Sequence, residues 1–335
     1  MLVTTMTTPA IQDLTKKSFL IESEKSGGNI RQLFHPIEAD WTSEVKRVWE
    51  LDRDRLAEEK VQGQSSAQRG ISQGYYKDIT RKTISVTRIV SGEQFKALTA
   101  HDLANFAMNV AKDVVGKIEL DMRNFLGYST AATSYVDNGG FTIDLTVGDG
   151  YAVFHTAHTL KNSVTTYSNI LTGAPSLSET SLYTAIDYFN YNVMNNNGDN
   201  ITIKPNTLIT SEKAAMVHRA QRILGSDAAV SVDGTANANS GIKNTLKTAF
   251  KHEAIRFDVD SLDRNDTTKS FYWFVAAIGG MPEESFAAYY VRWMSPMTAP
   301  TEVDQDKWIL SQTGRAAYGI GAVSGKGICV AKATS

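Results

Sequence analysis

The chain is short of several things that would narrow its chemistry at once. It has one cysteine, Cys329, so no intramolecular disulfide can form and no cluster of thiolate metal ligands is available within one chain. Nothing in that usage asks for an oxidising compartment. No stretch approaches about 18 consecutive apolar residues, and the first residues lack a basic segment followed by an apolar run, so the signals for a membrane span and for secretion are both missing. An excess of either charge is missing too. Lys plus Arg number 34 and Asp plus Glu 36, a net charge of -2, which argues against a protein whose main work is to grip nucleic acid through a basic surface. There is no Gly-x-Ser-x-Gly elbow for a nucleophile, and no internal repeat.

What the chain does have is one long helical signal at 99–127. Leu103, Phe106, Ala107, Val110, Val114, Ile118, Met122 and Phe125 recur at steps of three or four, the spacing of a single helix face. Asn105, Asn109, Lys112, Asp113 and Arg123 fall opposite. Thr99 followed by Asp102 supplies an N-cap with an early carboxylate, and Gly127 stands where a left-handed residue would end the helix. At about 1.5 Å per residue the helix spans roughly 40 Å, enough to run across a domain as a spine. A chain of 335 residues has room for one or two domains.

Before the spine the chain is thin in apolar residues. The segment 1–40 is Thr-rich and then mixed, too irregular for a core helix or strand, and reads as an arm: either a disordered tail or a segment ordered by lying on a neighbouring molecule. Ten of the fifteen residues at 46–60 are charged, with the signs mixed, so this limb cannot fold against a core of its own; such a run is usually a solvated helix face. The stretch 62–74, with Gly63, Gly70 and Gly74 among Ser and Gln, is a flexible tip by composition. Then 75–90 carries Ile79, Thr83, Ile84, Val86, Thr87, Ile89 and Val90 in the β-branched pattern of a strand. Together these predict a long two-stranded excursion that returns directly to the spine.

After the spine, strands are expected at 141–147, 205–210, 254–262 and 270–277, and helices at 178–194 and 212–224, with a Gly/Ala/Asn/Ser loop at 225–241. From 286 to 333 nearly everything reads as strand, in short runs at 289–294, 308–310, 316–320 and 327–330. The order predicts an α+β architecture whose closing strands form an antiparallel sheet under the spine helix.

Three constellations invite a chemical reading. His155 and His158, with Asp144 and Asp149 nearby, have the donor types of a zinc site. No third ligand stands at a defined spacing, and an imidazole that satisfies backbone groups in a turn is the stronger reading. Residues 321–327 carry a P-loop flavour, but the glycine spacing is short, no Ser or Thr follows Lys326, and no helix follows, so the run reads as a turn. Cys329 lies in a strand-like run with no histidine partner. No catalytic residue, cofactor or metal site is therefore assigned, and the chain is not expected to be an enzyme.

The run Gly148-Asp149-Gly150-Tyr151-Ala152-Val153-Phe154-His155-Thr156-Ala157-His158, the later Pro205-Asn206-Thr207-Leu208-Ile209-Thr210, and the order of arm, charged excursion, spine helix and closing strands resemble the major capsid proteins of tailed bacteriophages, in particular the Mu-like major head proteins. The resemblance implies the Johnson-type capsid fold: an N-terminal arm (1–45), an extended loop (46–90), a peripheral domain built on the spine helix (91–175) and the closing strands (285–335), and an axial domain between them (176–284). It implies a structural role, with many copies forming hexamers and pentamers that tile an icosahedral shell around double-stranded DNA, contacted weakly and without sequence preference. It places the protein in the virion, assembled in the host cytoplasm. Portal and possibly decoration proteins are the implied partners, and a separate scaffolding protein as well, since no long charged N-terminal extension is present; no membrane is involved. Near-neutral charge suits a container that must not hold its DNA tightly, and an arm and excursion without local cores suit burial on neighbours, where obligate interfaces commonly exceed about 2,000 Å². An encapsulin-like nanocompartment shell and, more remotely, a metal-dependent hydrolase using His155 and His158 are the alternatives.

Overall fold

A computed structural model describes residue 6 and residues 8–25, 28–52, 72–227, 243–279, 285–304 and 309–334. Helix α1 (Thr8–Lys25) is followed by a 3-10 turn (Asn29–Leu33) and strands β1 (His35–Glu38), β2 (Val45–Asp52), β3 (Ser72–Thr80) and β4 (Lys82–Val90). The short α2 (Gly92–Ala97) leads into the spine α3 (Ala100–Tyr128), then β5 (Ser134–Val136), β6 (Thr142–Asp144), β7 (His158–Leu160) and β8 (Ser163–Tyr167). Next come α4 (Glu179–Asp187), β9 (Thr207–Thr210), α5 (Ala214–Gly225), β10 (Lys251–Ala254) and β11 (Trp273–Ala276). The chain closes with β12 (Ala288–Thr298), β13 (Glu302–Asp304), β14 (Ile309–Ala322) and β15 (Ile328–Ala331).

The spine forms as its spacing predicts. Thr99 and Asp102 make a reciprocal capping box, each side chain accepting from the other's backbone amide at 3.3 and 2.9 Å. Leu103, Ala107, Val110, Val114, Ile118, Met122 and Phe125 are all fully buried. Gly127, however, is not a left-handed stop: the helix runs through it to Tyr128, and the cap is Ser129 in right-handed geometry. An added Cβ at Gly127 would overlap the Phe257 carbonyl oxygen, so the glycine is there to let the helix touch backbone.

The expectation that the segment 1–40 is too irregular for a core helix fails over 8–25. Ile11, Thr15, Ser18 and Phe19 are buried at i, i+4, i+7 and i+8, and α1 packs along the spine. Two of those four inward positions are hydroxyl residues, which hid the period; Thr15 is satisfied by the Ile11 carbonyl at 2.9 Å and by Thr301 Oγ1 at 2.7 Å.

The excursion begins as a strand rather than a solvated helix: β2 and β3 pair antiparallel from Val45 opposite Thr80 to Asp52 opposite Ser72. The remainder of the charged run, most of the Gly-rich tip and most of the loop expected at 225–241 lie outside the described residues. The run 75–90 is not one strand. It breaks at Arg81, whose amide donates to the Glu44 carbonyl at 2.8 Å, and beyond the break β4 pairs with β14 instead of β2.

Two main sheets carry the body. In the first, β12, β14, β13 and β4 are antiparallel and β1 joins β12 in parallel. The second has the order β10-β9-β11-β15, with β10 parallel to β9. The closing strands are thus shared between sheets: the runs near 309 and 316–320 are one strand of 14 residues, β14, whereas β15 belongs to the second sheet. No strand covers 255–262, where Val259 makes a single bridge to Asn265. The expected strand at 141–147 shortens to β6, and the helix at 178–194 ends at Asp187 before a π turn at Tyr188–Asn192.

The second sheet is buried on both faces. Ile209, Phe274, Ile328 and Val330 point into the core around the spine, while Leu208, Trp273, Val275, Cys329 and Ala331 point toward α4 and α5. This explains why β11 and β15 read as unbroken apolar runs.

One buried charge cluster ties β4, the spine and the β5–β6 turn together. Lys82 bonds Asp121 at 2.5 Å and also Asp137, Lys117 reaches the same two carboxylates at 3.0 and 3.2 Å, and Tyr318 Oη donates to Asp121 at 2.6 Å. Burial alone would raise the Asp137 carboxyl, but hydrogen bonds from Lys82, the Phe141 amide and Lys117 hold it at about 2. An unfolded Asp titrates near about 3.9, so this carboxylate stabilises the fold above that pH and its contribution is lost as pH falls toward about 2. Asp137→Asn should flatten unfolding stability against pH between about 4 and about 2. By stripping Lys82 of a partner, it should also cost about 3 to 5 kcal/mol at neutral pH in a denaturant titration.

Candidate functional site

The distinctive run 144–158 folds into a tight reversal. Val147 N donates to the Tyr151 carbonyl at 2.8 Å and Gly150, at φ +86°, turns the chain between them. Asp149 is the hub: one carboxylate oxygen accepts from the Tyr151 amide at 3.0 Å, and the other from His158 Nδ1 at 2.8 Å and the Thr159 amide at 3.2 Å. His158 is fully buried, with Nε2 facing the Val153 carbonyl at 3.2 Å and its ring stacked on Tyr167. Asn169 completes the knot. It donates to the Val153 and Gly325 carbonyls at 2.6 and 3.1 Å and accepts from the His155 amide at 2.9 Å.

These contacts engage the histidines within the turn. Both ring nitrogens of His158 face protein acceptors, and His155 Nδ1 accepts from the Ala157 amide at 3.1 Å. Asp144, expected beside them, is turned toward Lys77 and Thr146 instead. Among the described residues no group of three His, Cys, Asp or Glu side chains is placed to hold a metal ion. The 321–327 run forms the end of β14 and a turn, and Cys329 is enclosed in β15, where burial pushes its thiol well up.

What the knot holds is the β2–β3 hairpin. Gly148 lies so close to the hairpin that an added Cβ would overlap Tyr75 Cβ, and its amide donates to the Val323 carbonyl at 2.9 Å. Glu50 enters the body between two turns, pairing with Lys326 at 2.8 Å and accepting from Asn196 Nδ2 at 2.9 Å, with both charged side chains nearly enclosed. Lys161 Nζ donates to the Gly74 carbonyl at 2.8 Å, Tyr75 Oη meets Thr159 Oγ1 at 3.2 Å, and Lys77 pairs with Asp144. Val48 and Ile79 pack inward on Val291, Trp293 and Ala317.

The outer face of the hairpin has no such cover. Trp49 is 37% exposed and Tyr76 43%, their rings 5.0 Å apart; Arg47 lies 4.1 Å over Tyr76 and forks onto Asp78 with two bonds of 2.7 Å. Trp41, half exposed, sits at the hairpin's foot beneath Arg81. Alternation along β2 and β3 therefore separates an inner anchoring face from an outer aromatic and cationic one.

No protein-family model matches the chain, and no curated protein matches it in sequence. Solved structures do match in three dimensions. The mature capsid of bacteriophage PhiM1 superposes with a TM-score of 0.50, covering 92% of this chain and 88% of its own at 11% identity. This chain has the fold of a tailed-phage capsid protein. The capsid of cyanophage P-SCSP1u gives a TM-score of 0.49 at 9% identity, covering 91% of this chain and 87% of its own. A virus-like particle from Pyrococcus furiosus gives 0.48 at 9% identity, covering 94% and 96%. Within this capsid fold the knot at 144–169 is the point where hairpin and body meet. Asn169 was not singled out in the sequence, where one Asn between Ser168 and Ile170 carries no signal.

Asn169 bonds three backbone groups, of which the Val153 carbonyl keeps His158 Nε2, so Asn169→Ala orphans the Gly325 carbonyl and the His155 amide and should cost about 2 kcal/mol or more at about 1 to 3 kcal/mol per orphaned group. The exposed Thr156→Ala should stay within about 0.5 kcal/mol. Denaturant midpoints of the two variants beside the wild type check the difference.

Proposed function

We propose that this chain is a structural shell subunit, many copies of which assemble into hexamers and pentamers that tile an icosahedral capsid around packaged double-stranded DNA. The observation that carries the reading is the likeness in fold to a mature phage capsid over 92% of the chain. The hairpin supports it independently: Arg, Trp and Tyr are the residue types that most often anchor protein interfaces, and here Arg47, Trp49 and Tyr76 form a braced outward face that the subunit itself leaves exposed. In this reading the chain divides into an arm (1–45), an extended loop (46–90), a peripheral domain (91–175 and 285–335) and an axial domain (176–284). The particle is the virion shell, assembled in the host cytoplasm with portal, scaffolding and decoration proteins as further partners, and the Mu-like head proteins are the branch whose motif order it shares. The role is non-catalytic.

Sedimentation and electron microscopy of the purified protein test this directly. Capsomers or closed particles are the expected result; a stable monomer under every assembly condition overturns the reading. Particles from infected cells should contain double-stranded DNA, whereas a folded protein cargo in its place would indicate a nanocompartment.

A further inference from the structure

Asparagine is followed by glycine at two places in the chain, Asn138–Gly139 and Asn197–Gly198. In that dipeptide the side-chain carbonyl carbon is open to attack by the next backbone nitrogen, because glycine carries no Cβ to block the approach. Both pairs lie in tight turns, and the structure treats them differently.

The first turn joins β5 to β6. Gly140 N donates to the Asp137 carbonyl at 3.0 Å, Asp137 N donates to the Phe141 carbonyl at 3.0 Å, and Gly140 takes φ +78°. Asn138 is exposed and its carboxamide makes no hydrogen bond. Gly139 N donates to Asp137 Oδ1 at 2.9 Å. The turn sits on two strands of three residues each, which do little to keep it closed. At the second turn the carboxamide is pinned. Asn197 is half-buried, its Oδ1 accepts from Asn162 Nδ2 at 3.1 Å, and its amide donates to Asn195 Oδ1 at 3.0 Å. Gly198 N donates to the Asn195 carbonyl at 3.1 Å, and an added Cβ there would overlap Ser163 Oγ.

We infer that Asn138–Gly139 is a site of spontaneous self-modification, coupled to the buried charge cluster through Asp137. Gly139 N bonds to Asn138 Cγ, the Cγ–Nδ2 bond breaks, and the amide proton leaves with the amino group as ammonia. Water then opens the cyclic imide. Opening at Cγ gives aspartate; opening at the main-chain carbonyl gives isoaspartate, in which the chain runs through the side chain and is one methylene longer. Asp137 reads that change directly. Its Oδ1 holds the Gly139 and Phe141 amides, and its Oδ2 bonds Lys82 and Lys117. A methylene inserted between the carboxylate and those two amides takes the turn out of register, so isoaspartate loosens the hold on Lys82. An ordinary aspartate at 138 leaves the chain length, and the hold, unchanged.

Peptide mapping by mass spectrometry of the full chain, held at mildly alkaline pH, tests this, with isoaspartate read by methyl transfer from an isoaspartyl methyltransferase. Asn138 should convert at least about tenfold faster than Asn197 in the folded protein. In denaturant, where both turns are gone, the two rates should come together. Gly139→Ala should slow conversion at 138 by about tenfold or more. That variant should still fold, since Gly139 is not left-handed and an added Cβ meets nothing nearer than Asp137 Oδ1 at 3.4 Å. Aged chains carrying isoaspartate should unfold at lower denaturant than fresh ones, whereas Asn138→Asp should keep the wild-type midpoint. Equal rates at the two sites in the folded protein, a ratio that survives in denaturant, or a Gly139→Ala variant that converts like the wild type overturns the inference. So does an isoaspartate-bearing chain with the wild-type midpoint.

Discussion

A two-stranded hairpin has no interior of its own and is marginal in water unless something holds one of its faces. Here that constraint shapes the centre of the molecule. The reversal at 147–151, the Asp149–His158 pair and Asn169 form a polar knot with few loose ends, and the hairpin is seated on it through backbone contact at Gly148 and through Glu50, which pairs with Lys326 and Asn196. Breaking a nearly enclosed ion pair from one side is costly, so Glu50 and Lys326 fix the hairpin's position more than they add net stability.

The knot in turn needs a rigid body behind it. The spine supplies length, α1 and the first sheet cover it, and the second sheet is packed from both faces. The Lys82, Lys117, Asp121 and Asp137 cluster ties β4 to the spine just where the chain leaves the hairpin. A body built this way presents exposed aromatics, Trp49 and Tyr76 on the hairpin and Tyr183 and Tyr191 beside the second sheet, on stiff supports. Preorganised surfaces of that kind lose little side-chain entropy on association.

Elements with a local cause were legible in the sequence. The spine declares itself by seven buried positions on one face and a capping box at Thr99, and α4 by Ser178. The hairpin was visible as a β-branched limb facing a charged one, because mixed charge with little apolar content needs a partner strand. Helix α1 was not, since Thr15 and Ser18 occupy inward positions that hydrophobic periodicity does not count. Nor could the pattern at 75–90 show that Arg81 divides it between two sheets, because alternation continues on both sides. The run 144–158 stood out as a motif, but not as the hairpin's root: Glu50 with Lys326, and Asn169 with Val153 and Gly325, join residues far apart in the chain, and nothing local encodes those pairs.

The central claim is that the hairpin is built in the isolated chain, rooted in its own body without help from any neighbour. Hydrogen exchange on the monomeric chain reads this directly at the backbone amides of 45–50 and 75–80. The account predicts slow exchange at the paired amides of these strands, comparable to β14, with little dependence on protein concentration. Exchange as fast as in an unfolded chain, slowing only at concentrations where copies associate, would contradict it and make the hairpin a product of a neighbour rather than of the knot.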